Sequence, residues 1–215
     1  MYTDNQLQKA VLEELQWEPS VTAAHIGVTA KAGVVALTGH VESYVEKHAA
    51  ETAAARVKGV KAVAEEIEVR LPFTTKRGDE EIAAAAIERL SWDVSVPRDA
   101  IMVKVEKGWL TLTGAVEWHY QKVASEQSVR GLLGVVGVSN QTTIKPAVDV
   151  STLSADITHA LHRSWFDPKT ISVSAQGGNI RLNGTVHTWH DREVAASTAW
   201  AARGAMAVEN NITIM

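Results

Sequence analysis

One seven-residue pattern bounded by glycines occurs three times in this chain of 215 residues. It runs from Gly33 to Gly39, from Gly108 to Gly114 and from Gly178 to Gly184, so that successive copies lie 75 and then 70 residues apart. The same spacing is kept downstream by three valines and three glycines: Val41, Val116, Val186, Gly59, Gly134 and Gly204. The chain therefore consists of three copies of one module.

Each copy is long enough to bury a small core of its own. Solenoid repeats are shorter, roughly 20–50 residues, and are stable only when stacked. We therefore predict three small domains over residues 1–72, 73–147 and 148–215. The linkers between them are short, which favours copies that pack together rather than a flexible string.

Each copy carries the pattern of an α-β-β-α-β module. Apolar residues at helical spacing open the first copy at Leu7, Val11 and Leu15, and Asp4 and Asp79 are the expected helix N-caps of copies 1 and 2. Two runs of alternating apolar residues follow on either side of a glycine turn and predict a hairpin. An alanine-rich helix and a last strand complete the copy. The predicted fold class is α+β, with a three-stranded mixed sheet, a last strand parallel to the second, and both helices packed on one face.

Nine glycines are expected to serve this architecture at the hairpin turn, at the end of the second strand and after the second helix. They are Gly33, Gly39, Gly59, Gly108, Gly114, Gly134, Gly178, Gly184 and Gly204.

Composition and charge exclude several classes of function. The formal net charge is −4 without a basic excess, so nucleic acid is not an expected partner. Cysteine is absent, which excludes disulfides, thiolate metal ligands and a cysteine nucleophile. The first residues lack the features of a signal peptide, and no stretch approaches the roughly 20 apolar residues of a membrane span. We therefore expect a cytoplasmic location.

No motif typical of catalysis or cofactor binding occurs in the sequence, neither a nucleophile elbow nor a phosphate-binding loop. Two histidine pairs, His159 with His162 and His187 with His190, have the i, i+3 spacing of metal ligands on a helix, and Asp191 follows the second pair. Surface or capping roles account for them more simply. We expect a protein that is not an enzyme and has no cofactor or metal site.

Tryptophan is frequent, with seven residues. Trp17, Trp92 and Trp165 recur where the first helix ends, and we expect them to pack against the core or the helix end. Other aromatic residues lie at a hairpin or at the start of the second helix and form the predicted interaction surface: Trp109, Trp118, Tyr120, Tyr44 and Trp189. Three roles stay open for this surface, namely contact with a membrane, packing between copies or subunits, and simple partial burial.

Taken together, these motifs resemble the BON domain, a bacterial module of osmotic-stress and envelope-associated proteins. An acidic-proline loop is present at Glu18-Pro19 and Asp167-Pro168, and the glycine-bounded strand is present in all three copies. The ending Gly-Val-x-x-Val occurs at 59–63 and 134–138, with a degenerate version at 204–208. The resemblance covers nearly the whole chain.

The resemblance implies a protein without catalytic residues that binds phospholipid or a membrane surface. Our leading hypothesis is a binding or scaffold protein that associates with a phospholipid membrane surface or an envelope-related partner in a stress response. One alternative is self-assembly into a homo-oligomer through an open sheet edge or face. Another is a potassium-responsive sensor of osmotic stress, because one relative of the family binds potassium.

Overall fold

The computed structural model describes residues 3–146, 152–163 and 168–214. The elements of the first copy are α1 (Asp4–Trp17), β1 (Ile26–Lys31), β2 (Val34–Val41), α2 (Tyr44–Ala55) and β3 (Ala62–Val69). The elements of the second copy are α3 (Asp79–Trp92), β4 (Ile101–Glu106), β5 (Trp109–Val116), α4 (His119–Val129), β6 (Gly137–Asn140) and β7 (Thr143–Ile144). The elements of the third copy are α5 (Leu153–Leu161), β8 (Ile171–Gln176), β9 (Asn179–Val186), α6 (Trp189–Trp200) and β10 (Ala207–Ile214). The predicted order and the α+β class are confirmed.

Each copy has its own sheet with the second strand in the centre. β1 is antiparallel to β2 and β3 is parallel to it, and β8, β9 and β10 repeat this arrangement. In the second copy the last strand is divided into β6 and β7, both of which pair with β5. A helix must cross over between parallel neighbours, which is the role of α2, α4 and α6.

The hairpin turns have the backbone that the glycine-rich sequence predicts. Both central residues of every turn have positive φ: Ala32, Gly33, Lys107, Gly108, Gly177 and Gly178. This is the conformation of a type I′ turn, whose twist matches that of the two strands it joins.

In the first and second copies, a carboxylate at the start of the first helix binds the hairpin turn. Asp4 Oδ1 accepts a hydrogen bond of 2.8 Å from the Ala32 N–H. Asp79 accepts two, of 2.7 and 2.8 Å, from the N–H groups of both turn residues in the second copy. The N-cap of α1 is Thr3, which forms a capping box, so the predicted capping role of Asp4 is wrong. Asp4 and Asp79 are instead the first residues inside their helices.

The glycine at the end of the pattern is required by a close approach of the backbone. Gly39, Gly114 and Gly184 have φ of 119°, 137° and 141°. A Cβ atom on any of them would collide with a carbonyl oxygen that precedes the first strand of the same copy. No L side chain fits this position, which explains why the glycine recurs in all three copies.

The cores of the first and third copies lie between the sheet and the two helices. The second helix contributes small residues, such as Ala50 and Ala53 in α2 and Ala195 and Ala199 in α6, all of them fully buried. Small side chains let a helix approach the sheet closely, and a larger residue there would force the layers apart.

Trp17 and Trp92 do not pack against the core as expected, because their side chains are 83% and 78% exposed. Leu15 and Leu90 end the buried faces of α1 and α3. Each residue of an α-helix turns by about 100°, so a side chain two positions later points to the opposite face. Trp165 lies outside the described residues.

The chain divides into two compact units, which cut across the predicted domains. One unit comprises residues 1–87, 104–110 and 129–139, and the other comprises residues 88–103, 111–128 and 140–215. Residues of the middle copy thus contribute to both units. No helix among the described residues is long and apolar enough to cross a membrane.

Candidate binding site

The second helix of every copy begins with an aromatic residue. Tyr44, His119 and Trp189 are the first residues of α2, α4 and α6 and occupy the same position of the repeat. In α2 and α6 a hydroxyl group caps the helix, from Ser43 and Thr188. These caps fix the start of the helix and therefore where the aromatic ring emerges.

The second copy has Trp118 at the position of the capping hydroxyl. The N–H of Gln121, which a hydroxyl at position 118 would bind, donates instead to the Trp118 carbonyl oxygen at 3.1 Å. The Gln121 side chain reaches back as well, because its Oε1 accepts hydrogen bonds of 3.0 and 3.1 Å from the N–H groups of Glu117 and Trp118. In the other copies, the carboxylates of Glu46 and Asp191 stand at the same position and accept hydrogen bonds from the N–H groups of Glu42 and Thr188. The sequence can therefore place a bulky aromatic ring at this helix start without leaving the backbone unsatisfied.

The His119 ring stacks on Trp200, the last residue of α6. The ring centroids are 3.8 Å apart and the planes are inclined by 14°. Both residues are half-buried. Burial and, to a smaller extent, the nearby positive charge of Lys122 hold the pKa of His119 below its usual value of 6.5. The imidazole is therefore neutral at pH 7, and the stack joins α4 to α6 without a net charge.

An open groove of about 880 Å³ lies beside this stack. The residues that line it belong to α4 and the end of α6, or lie directly beside these helices: Trp118, His119, Tyr120, Val123, Ala124, Gln127, Ser197, Trp200 and Ala201. The lining is mainly apolar and aromatic, and Tyr120 is 57% exposed at its rim. A groove of this size and composition suits the apolar part of a ligand or partner.

A smaller cavity of about 320 Å³ shares His119 and Trp200 with the groove. Thr142 lines it, and its side chain is almost fully buried. Within the part of the chain that the structure describes, the Thr142 Oγ1 is the buried side-chain atom without a hydrogen-bond partner. The first and third copies have buried isoleucines, Ile67 and Ile212, at this position. The hydroxyl group is therefore a specific feature of the second copy.

The predicted interaction residues are brought together only in part. Trp118 and Tyr120 both line the groove, whereas Trp109, Tyr44 and Trp189 are not among its lining residues. Trp189 is 45% exposed, and the Arg192 guanidinium lies 5.3 Å from the centre of its ring. Tyr44 is half-buried at the start of α2.

Trp109 packs on its own sheet. A Cβ atom on Gly137 would collide with the Trp109 ring, so the indole lies directly over this glycine of the next strand. The equivalent positions of the other copies are paired across the strands as Val34 with Ala62 and as Asn179 with Ala207. The second copy thus has glycine where the other copies have alanine, and it has tryptophan at the paired position where they have valine or asparagine.

The histidine pairs show no sign of a shared metal site. No group of three or more histidine, aspartate or glutamate side chains that could hold a metal ion occurs among the described residues. Asp191 is buried and caps the start of α6 through the Thr188 N–H.

Sequence reasoning did not identify His119, Trp200 and Thr142 as site residues. The signal was present in the differences between copies. Trp200 stands where the other copies have Ala55 and Arg130, and Thr142 stands where they have isoleucine. A bulky or polar residue that only one copy carries indicates a contact that the isolated module does not need.

Comparison with known proteins identifies a family for this chain but only weak similarity to solved structures. No curated protein matches the chain. Two solved structures of CdsD, a structural protein of the type III secretion system of Chlamydia trachomatis, are similar at 17% identity and a TM-score of 0.27. They cover 96% and 100% of this chain and 91% and 100% of the CdsD chains. The periplasmic domain of PrgH is similar at 12% identity and a TM-score of 0.22, over 89% of this chain and 95% of that one. Such scores give no support for a shared architecture.

The sequence profile of the BON domain matches residues 3–70, 78–146 and 149–215. These three segments coincide with the three α-β-β-α-β copies and span nearly the whole chain, so the protein belongs to the BON domain family.

Proposed function

We propose that this BON protein is a non-catalytic binding protein that associates with a phospholipid membrane surface through the groove beside α4. The observation that carries the proposal is the position of Trp118 and Tyr120 on an open, mainly apolar groove. Tryptophan and tyrosine combine an apolar ring with a polar group, and this suits them to the boundary between water and lipid.

Charge makes a small contribution to the proposed binding. The net charge is −4, which gives no general attraction to anionic lipid. Lys122 is the basic residue near the His119–Trp200 stack. We therefore expect binding to depend on the aromatic residues and to change little between neutral and anionic vesicles, or between low and high salt.

The test is co-sedimentation with phosphatidylcholine vesicles and with vesicles that also contain phosphatidylglycerol. We expect Trp118→Ala and Tyr120→Ala each to weaken association at least tenfold, while the tryptophan emission of the unmodified chain shifts to the blue on binding. Trp92→Ala is the matched control, since it removes an exposed indole that does not line the groove.

The outcomes separate the proposal from its rivals. Equal binding by all variants would exclude the groove as the lipid contact. Loss of binding in Trp92→Ala alone would assign the contact to the exposed end of α3. No sedimentation of the unmodified chain with either vesicle would exclude a membrane role.

A further inference from the structure

A basic residue near the start of the second helix makes the same contact in the first and third copies. Lys47 Nζ donates a hydrogen bond of 2.8 Å to the Ile67 carbonyl oxygen. Arg192 Nε donates a hydrogen bond of 2.9 Å to the Ile212 carbonyl oxygen. Both isoleucines stand at one position of the repeat, in the last strand of their copy. The helix cation is therefore bound to the sheet of its own copy in both cases.

The second copy lacks this contact. Its basic residue at the same position is Lys122, and Thr142 stands in place of the isoleucine. Among the described residues, the half-buried Lys122 ammonium group has neither a hydrogen bond nor an ion pair. The buried Thr142 Oγ1 is without a hydrogen-bond partner there as well. The second copy thus has two unpartnered polar groups where the other copies have a bound cation and an apolar side chain.

Both residues line the cavity of about 320 Å³ that also contains His119 and Trp200 in its wall. Ile144 is a further apolar residue of this wall, and none of the lining residues is acidic. All of them belong to the compact unit that comprises residues 88–103, 111–128 and 140–215. The cavity is therefore complete within one unit.

The charge of the cavity selects one class of ligand. A partly buried cation requires a compensating partner, and a single cation is best matched by a single negative charge. The first copy shows which group pairs with the cation at this position, because Lys47 Nζ lies 2.9 Å from a carboxylate oxygen of Glu65. The second copy has the neutral Asn140 at the position of Glu65. A carboxylate from outside the chain would supply the partner that Lys122 lacks.

We propose that this cavity binds a monocarboxylate with a short apolar chain. Lys122 Nζ donates a charge-assisted hydrogen bond to the carboxylate, and His119 and Thr142 are the further polar groups in the wall. The apolar chain packs against Trp200 and Met206. This binding needs no membrane, so it goes beyond the lipid association proposed above and does not rest on it.

The test is an NMR titration of the unmodified chain with sodium octanoate in vesicle-free buffer. We expect octanoate to bind and to shift the imidazole signals of His119, which lines the cavity. Acetate lacks the apolar chain, and protonated octylamine carries the opposite charge. Each of these two ligands should bind about tenfold more weakly than octanoate, or weaker still.

Two variants test the polar side of the cavity. Lys122→Met removes the cation and keeps an extended side chain, and it should weaken octanoate binding about tenfold or more. Thr142→Val removes the hydroxyl group alone and should weaken binding about threefold, which keeps the test decisive even if Lys122→Met fails to fold. Lys9→Met is the matched control, because it changes the net charge equally at an exposed position of α1 outside the cavity. It should bind octanoate like the unmodified chain.

Several results would overturn the proposal. They are the absence of octanoate binding, equal binding by Lys122→Met, and unchanged binding by Thr142→Val. Octylamine that binds as tightly as octanoate would mean that apolar contact alone holds the ligand. Inorganic phosphate that binds more tightly than octanoate would overturn the choice of a carboxylate. The vesicle experiment is carried out without octanoate, so the failure of one proposal is distinguishable from the failure of the other.

Discussion

At the scale of single residues, Thr142 is the clearest departure from the repeat. Its hydroxyl group is buried without a hydrogen-bond partner among the described residues, and an unsatisfied buried polar group costs about 1–3 kcal/mol. We expect Thr142→Val to raise the free energy of unfolding by about 1 kcal/mol, because valine keeps the shape and removes the hydroxyl. Urea unfolding measures this difference.

Thr142→Ser is the matched control for this prediction, since it keeps the hydroxyl group and removes the methyl group. It should lower the free energy of unfolding by about 1 kcal/mol. A valine variant that is destabilised as much as the serine variant, or more, would contradict the prediction and would show that the Thr142 hydroxyl has a partner in solution.

His119 provides a residue-scale prediction about pH. Its pKa lies below the usual 6.5 in the folded chain, so between the two values the unfolded chain binds the proton more readily. The folded chain holds His119 in its neutral form, and the stability that depends on this form is fully present above pH 6.5. It is lost as the pH falls below that value. We expect the melting temperature of the unmodified chain to fall more steeply from pH 7 to pH 5 than that of His119→Asn.

The pKa itself can be measured by NMR, and the other seven histidines of the chain serve as internal references. Trp200→Ala exposes the imidazole and should bring its pKa back towards 6.5. A measured pKa above 6.5 would contradict the prediction, because it would mean that the attraction of an imidazolium to the Trp200 ring exceeds the cost of burial.

At the scale of elements, the packing on the strand pair β5–β6 combines the large side chain of Trp109 with the absence of a side chain at Gly137. Gly137→Ala would drive a methyl group into the Trp109 ring, and we expect it to lower the free energy of unfolding by about 1–3 kcal/mol. The double variant Trp109→Val with Gly137→Ala reproduces the Val34–Ala62 pair of the first copy. It should recover most of that loss. Thermal unfolding of the single and double variants tests the coupling, and additive losses would contradict it.

The elements themselves were largely predictable from the sequence. Alternating apolar residues and the glycine turns predicted the hairpins, and the helix after Gly39 required the last strand to be parallel. The exposure of Trp17 was predictable from helical geometry, since it lies two residues beyond Leu15, but the expectation of burial followed from its apolar character. The turn-binding role of Asp4 was not predictable, because the sequence does not show which loop the helix start approaches.

The candidate site could be predicted only in part, for a reason that belongs to the whole molecule. Trp118 and Tyr120 were selected as aromatic residues near a helix start, and both line the groove. The stack of His119 on Trp200 joins separate copies, and the pattern of one copy carries no information about its neighbour. Comparing the copies with one another recovers part of that information, since Trp200 has no aromatic equivalent in the other two.

At the scale of the whole molecule, we expect this stack to couple the opening of the second and third copies. Trp200→Ala removes a half-buried ring from the contact and should lower the free energy of unfolding by about 2 kcal/mol. Hydrogen exchange should show lower protection in α4 as well as in α6, although α4 is unchanged in sequence. Trp92→Ala removes a ring that is 78% exposed, and it should alter neither the stability nor the exchange pattern by a comparable amount. Lower protection confined to α6 would mean that the two copies open independently and that the stack carries no coupling.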